Sequence, residues 1–171
     1  MKTAKNLLLG MIFSIATVGT YYAQTEFELP ENVKLKNKED YEKYEEDFVN
    51  AAKWLEETDL NKETEKRQKV NAFVIEWISG SPTISVEISA ELGKIYGDNA
   101  QLLGVYLASY GRHCIENKES TQFSATKAAL LSMITVYKKG IKITKSKEME
   151  KILKLSDEKL DEYIKTKLKV K

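Results

Sequence analysis

Apolar residues recur along this chain at intervals of three and four, in stretch after stretch. Residues 38–57 set the pattern: Tyr41, Tyr44, Phe48, Ala51, Ala52 and Leu55 share one side, with Glu42, Lys43, Glu45, Glu46 and Asp47 between them. That spacing predicts a helix with an aromatic-rich buried face and a charged outer face, with Trp54 covering the edge of the stripe. After a short break a second helix is expected from Asn61, a good cap residue, to Ser79. Its first half, 62–69, holds no apolar residue and is expected to project into solvent or cover another surface. Its second half places Val70, Phe73, Val74, Trp77 and Ile78 at i, i+3, i+4, i+7 and i+8, a strong amphipathic match. Gly80 is expected as a left-handed cap ending it, and Pro82 prevents continuation.

The period then changes. Thr83-Ile84-Ser85-Val86-Glu87-Ile88-Ser89 alternates β-branched apolar residues with polar ones, the one strand-like run in the sequence. A lone strand has no partner for its backbone groups. The run is therefore either an extended connector packed by Ile84, Val86 and Ile88 or an early helix leading into 89–96; the connector is the preferred expectation.

Helical spacing resumes at 89–96 with Leu92, Ile95 and Tyr96 inward, and Gly97 ends that helix. Asp98 or Asn99 is expected to cap a helix to about residue 116, apolar on most sides and so the most enclosed. Gly104, Ala108 and Gly111 supply small residues where a neighbouring helix can approach closely. A further helix at about 123–139 carries Leu130, Met133, Ile134 and Tyr137, with Gly140 after it. Ser146 and Ser156 are expected to cap the last two helices, and Leu160, Tyr163, Ile164 and Leu168 form the final stripe. The fold class is all-α: an irregular bundle or short α-hairpin stack of six to seven helices, with an extended connector near 83–88. No internal repeat of fixed period is found.

The first residues follow a different logic. Lys2 and Lys5 precede the apolar run Leu7-Leu8-Leu9-Gly10-Met11-Ile12-Phe13, which continues through Val18 and ends near Ala23. This is the anatomy of a secretory signal peptide, with an apolar segment shorter than the roughly 20 residues a membrane span needs. Residues 1–23 are expected to be removed, 24–37 to form a flexible lead-in containing Pro30, and 38–171 to form a single helical domain. The expected location is periplasmic or secreted, with no transmembrane segment after cleavage near Ala23.

Without Lys2 and Lys5, 25 basic residues face 26 acidic ones, a balance that argues against a nucleic-acid binder. The charge is unevenly distributed. Residues 26–66 hold 14 acids and 7 lysines, whereas 138–171 hold 12 lysines and 6 acids. Solvated helix faces explain both, since an exposed ion pair contributes only about 0–1 kcal/mol. The single cysteine, Cys114, excludes an intramolecular disulfide, so packing must stabilise the fold.

No set of residues with defined chemistry emerges. His113 and Cys114 are adjacent, so on a helix they point about 100° apart and do not form a nucleophile–base pair. Cys114 shares the apolar stripe of Tyr106, Leu107 and Tyr110, where a thiol is inert. One histidine and one cysteine build no zinc motif, and the acidic clusters lack the glycine and alternating ligands of a calcium loop. Gly80-Ser81-Pro82-Thr83 opens no helix and has no nearby lysine, unlike a phosphate-binding loop. No catalytic residue, metal or cofactor is therefore assigned. Glu76, Glu87 and either Arg67 or Arg112 are the ionisable residues expected near the core. A carboxylate beside an indole can have a raised pKa, which makes Glu76, Trp77 and Tyr110 the candidate lining of a ligand pocket.

The Ala23-Gln24 junction and the segment Trp77-Ile78-Ser79-Gly80-Ser81-Pro82 resemble those of small exported all-helical proteins of the Bacteroidota. The resemblance implies export and an all-helical fold, and carries no catalytic residue with it. The leading expectation is a non-enzymatic exported domain that binds another protein or an envelope component. The alternative is a small-ligand-binding or enzymatic domain with its pocket near Glu76, Trp77 and Tyr110.

Overall fold

The computed structural model describes residues 27–170; the expected signal peptide lies outside them. Among the described residues the chain forms eight helices and no strand. The expected first helix is two. α1 (Lys38–Lys43) begins with a capping box between Asn37 and Asp40, and α2 (Glu45–Glu57) follows after Tyr44. The break has a use: the Tyr41 carbonyl accepts the indole N–H of Trp77 at 3.2 Å, a bond to the core in place of a continuous helix.

α3 (Thr64–Gly80) starts three residues later than Asn61 suggests, after a turn in which Glu63 adopts left-handed geometry. The reason is Arg67. Of the two expectations for residues 62–69, this side chain follows the second and covers another surface: it is 2 % exposed and its guanidinium donates to the carbonyls of Leu55, Thr58 and Asp59. Its planar head also lies over the Trp54 ring, 5.2 Å from the centroid, and Trp54 is itself buried. One cation thus serves the Leu55 carbonyl in the last turn of α2 and the Thr58 and Asp59 carbonyls of the turn that follows.

α4 (Ala90–Tyr96) is capped by Ser89, whose hydroxyl accepts from the Leu92 N–H at 3.2 Å, and Gly97 ends it at positive φ. α5 (Ala100–Glu116) is the axis of the molecule, packing along α6 (Gln122–Lys138) on one side and against α2 and α3 on the other. Its small residues stand where the sequence predicts close approach. A side-chain carbon on Gly111 would lie 2.5 Å from the Phe48 ring, and one on Gly104 would collide with the Asn71 amide oxygen. α7 (Lys147–Ile152) packs beside α4, and α8 (Asp157–Thr166) beside α6. Ser146 and Ser156 cap these two helices as the sequence predicts.

Two polar ties link the N-terminal and C-terminal helices, one through the core and one at the surface. Ser109 of α5 meets Ser132 of α6 at 2.6 Å, and Ser132 donates to Glu56 of α2, which also faces Arg112 at 3.3 Å. Lys139, from the lysine-rich part of the chain, donates to the Glu56 and Glu57 carbonyls at 2.8 and 2.9 Å. The C-terminal lysines therefore include one that serves the end of an N-terminal helix, as a cation near a helix C-terminus should. Residues 27–37 have no helix, but Phe27, Leu29, Val33 and Leu35 pack partly buried against the core.

Candidate functional site

An apolar surface depression is built where α3 stops. Gly80 is the last residue of α3 and does not adopt the left-handed cap conformation expected of it. Its lack of a side chain matters for another reason: a β-carbon there would strike the Tyr41 hydroxyl. Ser81 turns the chain out of the helix, its hydroxyl accepting the N–H groups of Thr83 and Ile84 at 3.4 and 3.2 Å. Pro82 then prevents any return to helical geometry.

Residues 83–89 cross the surface in neither helix nor turn. Thr83 and Glu87 line a polar depression of about 660 Å³ on one side, whose floor includes Tyr110 and Cys114. Val86 and Ile88 line an apolar depression of about 510 Å³ on the other, walled by Ile75, Ile78, Leu103 and Leu107. Ile84 and Ser85 border both depressions, and from Val86 to Ile88 the side chains alternate between them, as extended backbone requires. Ile84 and Val86 are partly buried, but Ile88 is 52 % exposed and does not pack as the sequence suggests. Ile75, across the apolar groove, is 47 % exposed.

One anchor ties the connector to the core: the Tyr110 hydroxyl donates to the Ser85 carbonyl at 3.1 Å. Burial, with smaller contributions from Cys114 and Tyr106, pushes the Tyr110 phenol up to about 12, so it remains a neutral donor. Beyond Ser85, no hydrogen bond among the described residues engages the backbone of Val86, Glu87 or Ile88.

The three residues singled out as pocket lining do not share a cavity. Trp77 is enclosed, with its ring 4.4 Å from that of Phe48 and edge-on to Tyr41. Glu76 is exposed and lines a different depression, between α3 and residues 28–33. Tyr110 alone reaches the connector. Glu87 is exposed as well, whereas Arg67 is buried and Arg112 is half-buried against Glu56.

His113 has a partner that sequence spacing does not reveal: its Nε2 lies 3.1 Å from the Ser124 hydroxyl. The pair is wrongly set for nucleophilic catalysis. Asn117 Nδ2 donates to the His113 carbonyl at 2.9 Å and lies 3.4 Å from the ring Nδ1. The Ser124 hydroxyl in turn accepts the Thr121 N–H in the α6 capping box and donates to the Thr121 carbonyl. The histidine therefore ties the end of α5 to the start of α6, and among the described residues no carboxylate stands behind its ring as a nucleophile–base set requires. Burial raises the Cys114 thiol above its ordinary value, which keeps it protonated. No group of three or more potential metal ligands and no helix long and apolar enough to cross a membrane occurs among the described residues.

Comparison of the chain with protein-family models, curated proteins and solved structures finds no match.

Proposed function

We propose that this chain is a non-enzymatic helical domain, exported to the periplasm or beyond, that works by binding another protein or an envelope component. The observation that carries the reading is the apolar groove between α3, α5 and residues 84–88, with Ile75 and Ile88 on its rims. Exposed large apolar side chains cluster at docking surfaces, and an extended backbone edge offers hydrogen bonds to an incoming segment. Export is supported by the charged and apolar order of residues 1–23 and by the resemblance to exported Bacteroidota proteins.

Two measurements test the two halves separately. The N-terminus of the secreted or periplasmic form should be Gln24; a product retaining Met1 sinks the export half. Cross-linking in the envelope fraction should recover a reproducible partner that Ile88→Lys fails to recover. Identical recoveries for wild type and variant would place binding elsewhere and remove this groove from the account.

A further inference from the structure

The connector is complementary to itself. The free stretch between Pro82 and the first residue of α4 is 83–89, and its midpoint is Val86. The geometry points to a second copy of this chain as the occupant of its edge: residues 83–89 of two copies pair antiparallel about a two-fold axis at Val86. In that register Ile84 lies opposite Ile88, Val86 opposite Val86, Ser85 opposite Glu87 and Thr83 opposite Ser89. Apolar faces apolar at every even position. Glu87 faces a serine and never its own copy, so no like charges stand directly opposite. Shifting the register by two residues in one direction sets Glu87 against Glu87; in the other direction Ile88 meets Pro82, which has no N–H to give.

Backbone direction agrees. Successive residues of an extended chain turn their N–H and C=O groups to opposite edges. The Ser85 carbonyl points inward to Tyr110, so the groups of Val86 and Ile88 point outward, and they have no partner among the described residues. Val86 then exchanges both its bonds with Val86 of the second copy, and Ile88 N–H reaches the Ile84 carbonyl. The polar face receives the incoming Glu87 above a depression carrying Lys38 and Lys118 along with Glu42 and Glu45. On the other face the incoming isoleucines extend the wall formed by Ile75, Ile78, Leu103 and Leu107. Interfaces burying less than about 1,200 Å² are usually transient, so one strand pair with its flanking grooves gives concentration-dependent association.

This narrows the docking reading above to one occupant, and the tests separate the two. Sedimentation of the intact protein should show monomer converting to dimer as concentration rises. Val86→Pro removes the central donors and should weaken dimerisation on the order of tenfold or more while helical content and melting temperature hold. Paired residues of this kind have Cα atoms about 5.5 Å apart, inside the range a disulfide accepts. Val86→Cys should therefore cross-link to itself under mild oxidation, well above the level wild-type Cys114 gives. A mixture of Ile84→Cys and Ile88→Cys chains should cross-link better than either variant alone. Each single variant cross-linking as well as the mixture would mean parallel pairing and overturn the proposed register. A monomer at every concentration, or no Val86→Cys product above background, overturns the pairing altogether. Recovery of an envelope partner by a strictly monomeric protein would leave the docking reading intact.

Discussion

Two of the breaks between helices, 58–63 and 81–89, treat their freed backbone in opposite ways. At the first, one buried guanidinium gathers the carbonyls of Leu55, Thr58 and Asp59 and stacks on Trp54. At the second, a phenol donates to the Ser85 carbonyl and the next three residues make no backbone hydrogen bond among the described residues. A carbonyl buried without a donor is destabilising, so the first break must be closed for the protein to fold. Water can serve the second, which leaves its edge available for association. The contrast separates a corner that holds the fold from an edge that stability does not require.

Substitutions can sharpen that separation, beginning with the largest effect. Arg67→Met should destabilise the protein by about 3 kcal/mol, because several buried carbonyls lose a charged donor together. Arg67→Lys should restore less than half of the loss, since an ammonium cannot span three acceptors in a fork. Chemical denaturation measures both; a lysine variant equal to wild type would mean the fork geometry is irrelevant.

Tyr110→Phe is the matching test at the connector, expected to remove about 0.5–1.5 kcal/mol. It also has a pH signature. The folded phenol is raised to about 12 from an ordinary value near 10. The unfolded chain therefore releases that proton first, and stability present below pH 10 falls as pH climbs toward 12. Burial also raises the phenols of Tyr106, Tyr137 and Tyr163, so the variant should flatten the slope without abolishing it. Denaturation midpoints measured across that range should diverge between wild type and variant, and parallel curves would contradict the assignment.

Ser81→Ala removes the acceptor for the Thr83 and Ile84 N–H groups at an exposed turn, with an expected loss of about 0.5 kcal/mol. Ile88→Ser should be smallest of all, within about 0.5 kcal/mol, because more than half of the side chain already faces water. A large loss of melting temperature there would break the comparison, since it would make the edge part of what holds the fold.

Much of the architecture is legible from periodicity because buried faces recur at the helical period. Val70, Phe73, Val74, Trp77 and Ile78 announce α3, and the serines at 89, 146 and 156 announce helix starts. Arg67 is legible in part. It continues the stripe of Val70, Val74 and Ile78 by one step toward the N-terminus, so its position is buried although its chemistry suggests otherwise. The break at Tyr44 is not legible, because the bond that rewards it comes from Trp77, thirty-six residues from Tyr41. The left-handed cap expected at Gly80 fails for a related reason: the glycine answers to the Tyr41 hydroxyl approaching from α1, and local turn chemistry does not report that. The expected pocket joins Glu76 to Trp77 by adjacency, yet neighbours on a helix face different directions, one to solvent and the other into the core. The paired serines of α5 and α6 leave one usable trace, a hydroxyl at position 109 and another at 132, each on an otherwise apolar face.

The bare backbone at 86–88 also gives the molecule a built-in reporter. Amide hydrogens of α5, bonded and enclosed, should exchange with deuterium only through large openings of the fold, whereas those of Val86, Glu87 and Ile88 should exchange at close to the rate of an unstructured chain. Whatever covers that edge must slow the exchange of Val86 and Ile88 first, because the Glu87 amide turns to the opposite edge. Deuterium uptake in one short peptic fragment would then register occupancy of the edge without a label or a tag, whatever the occupant is.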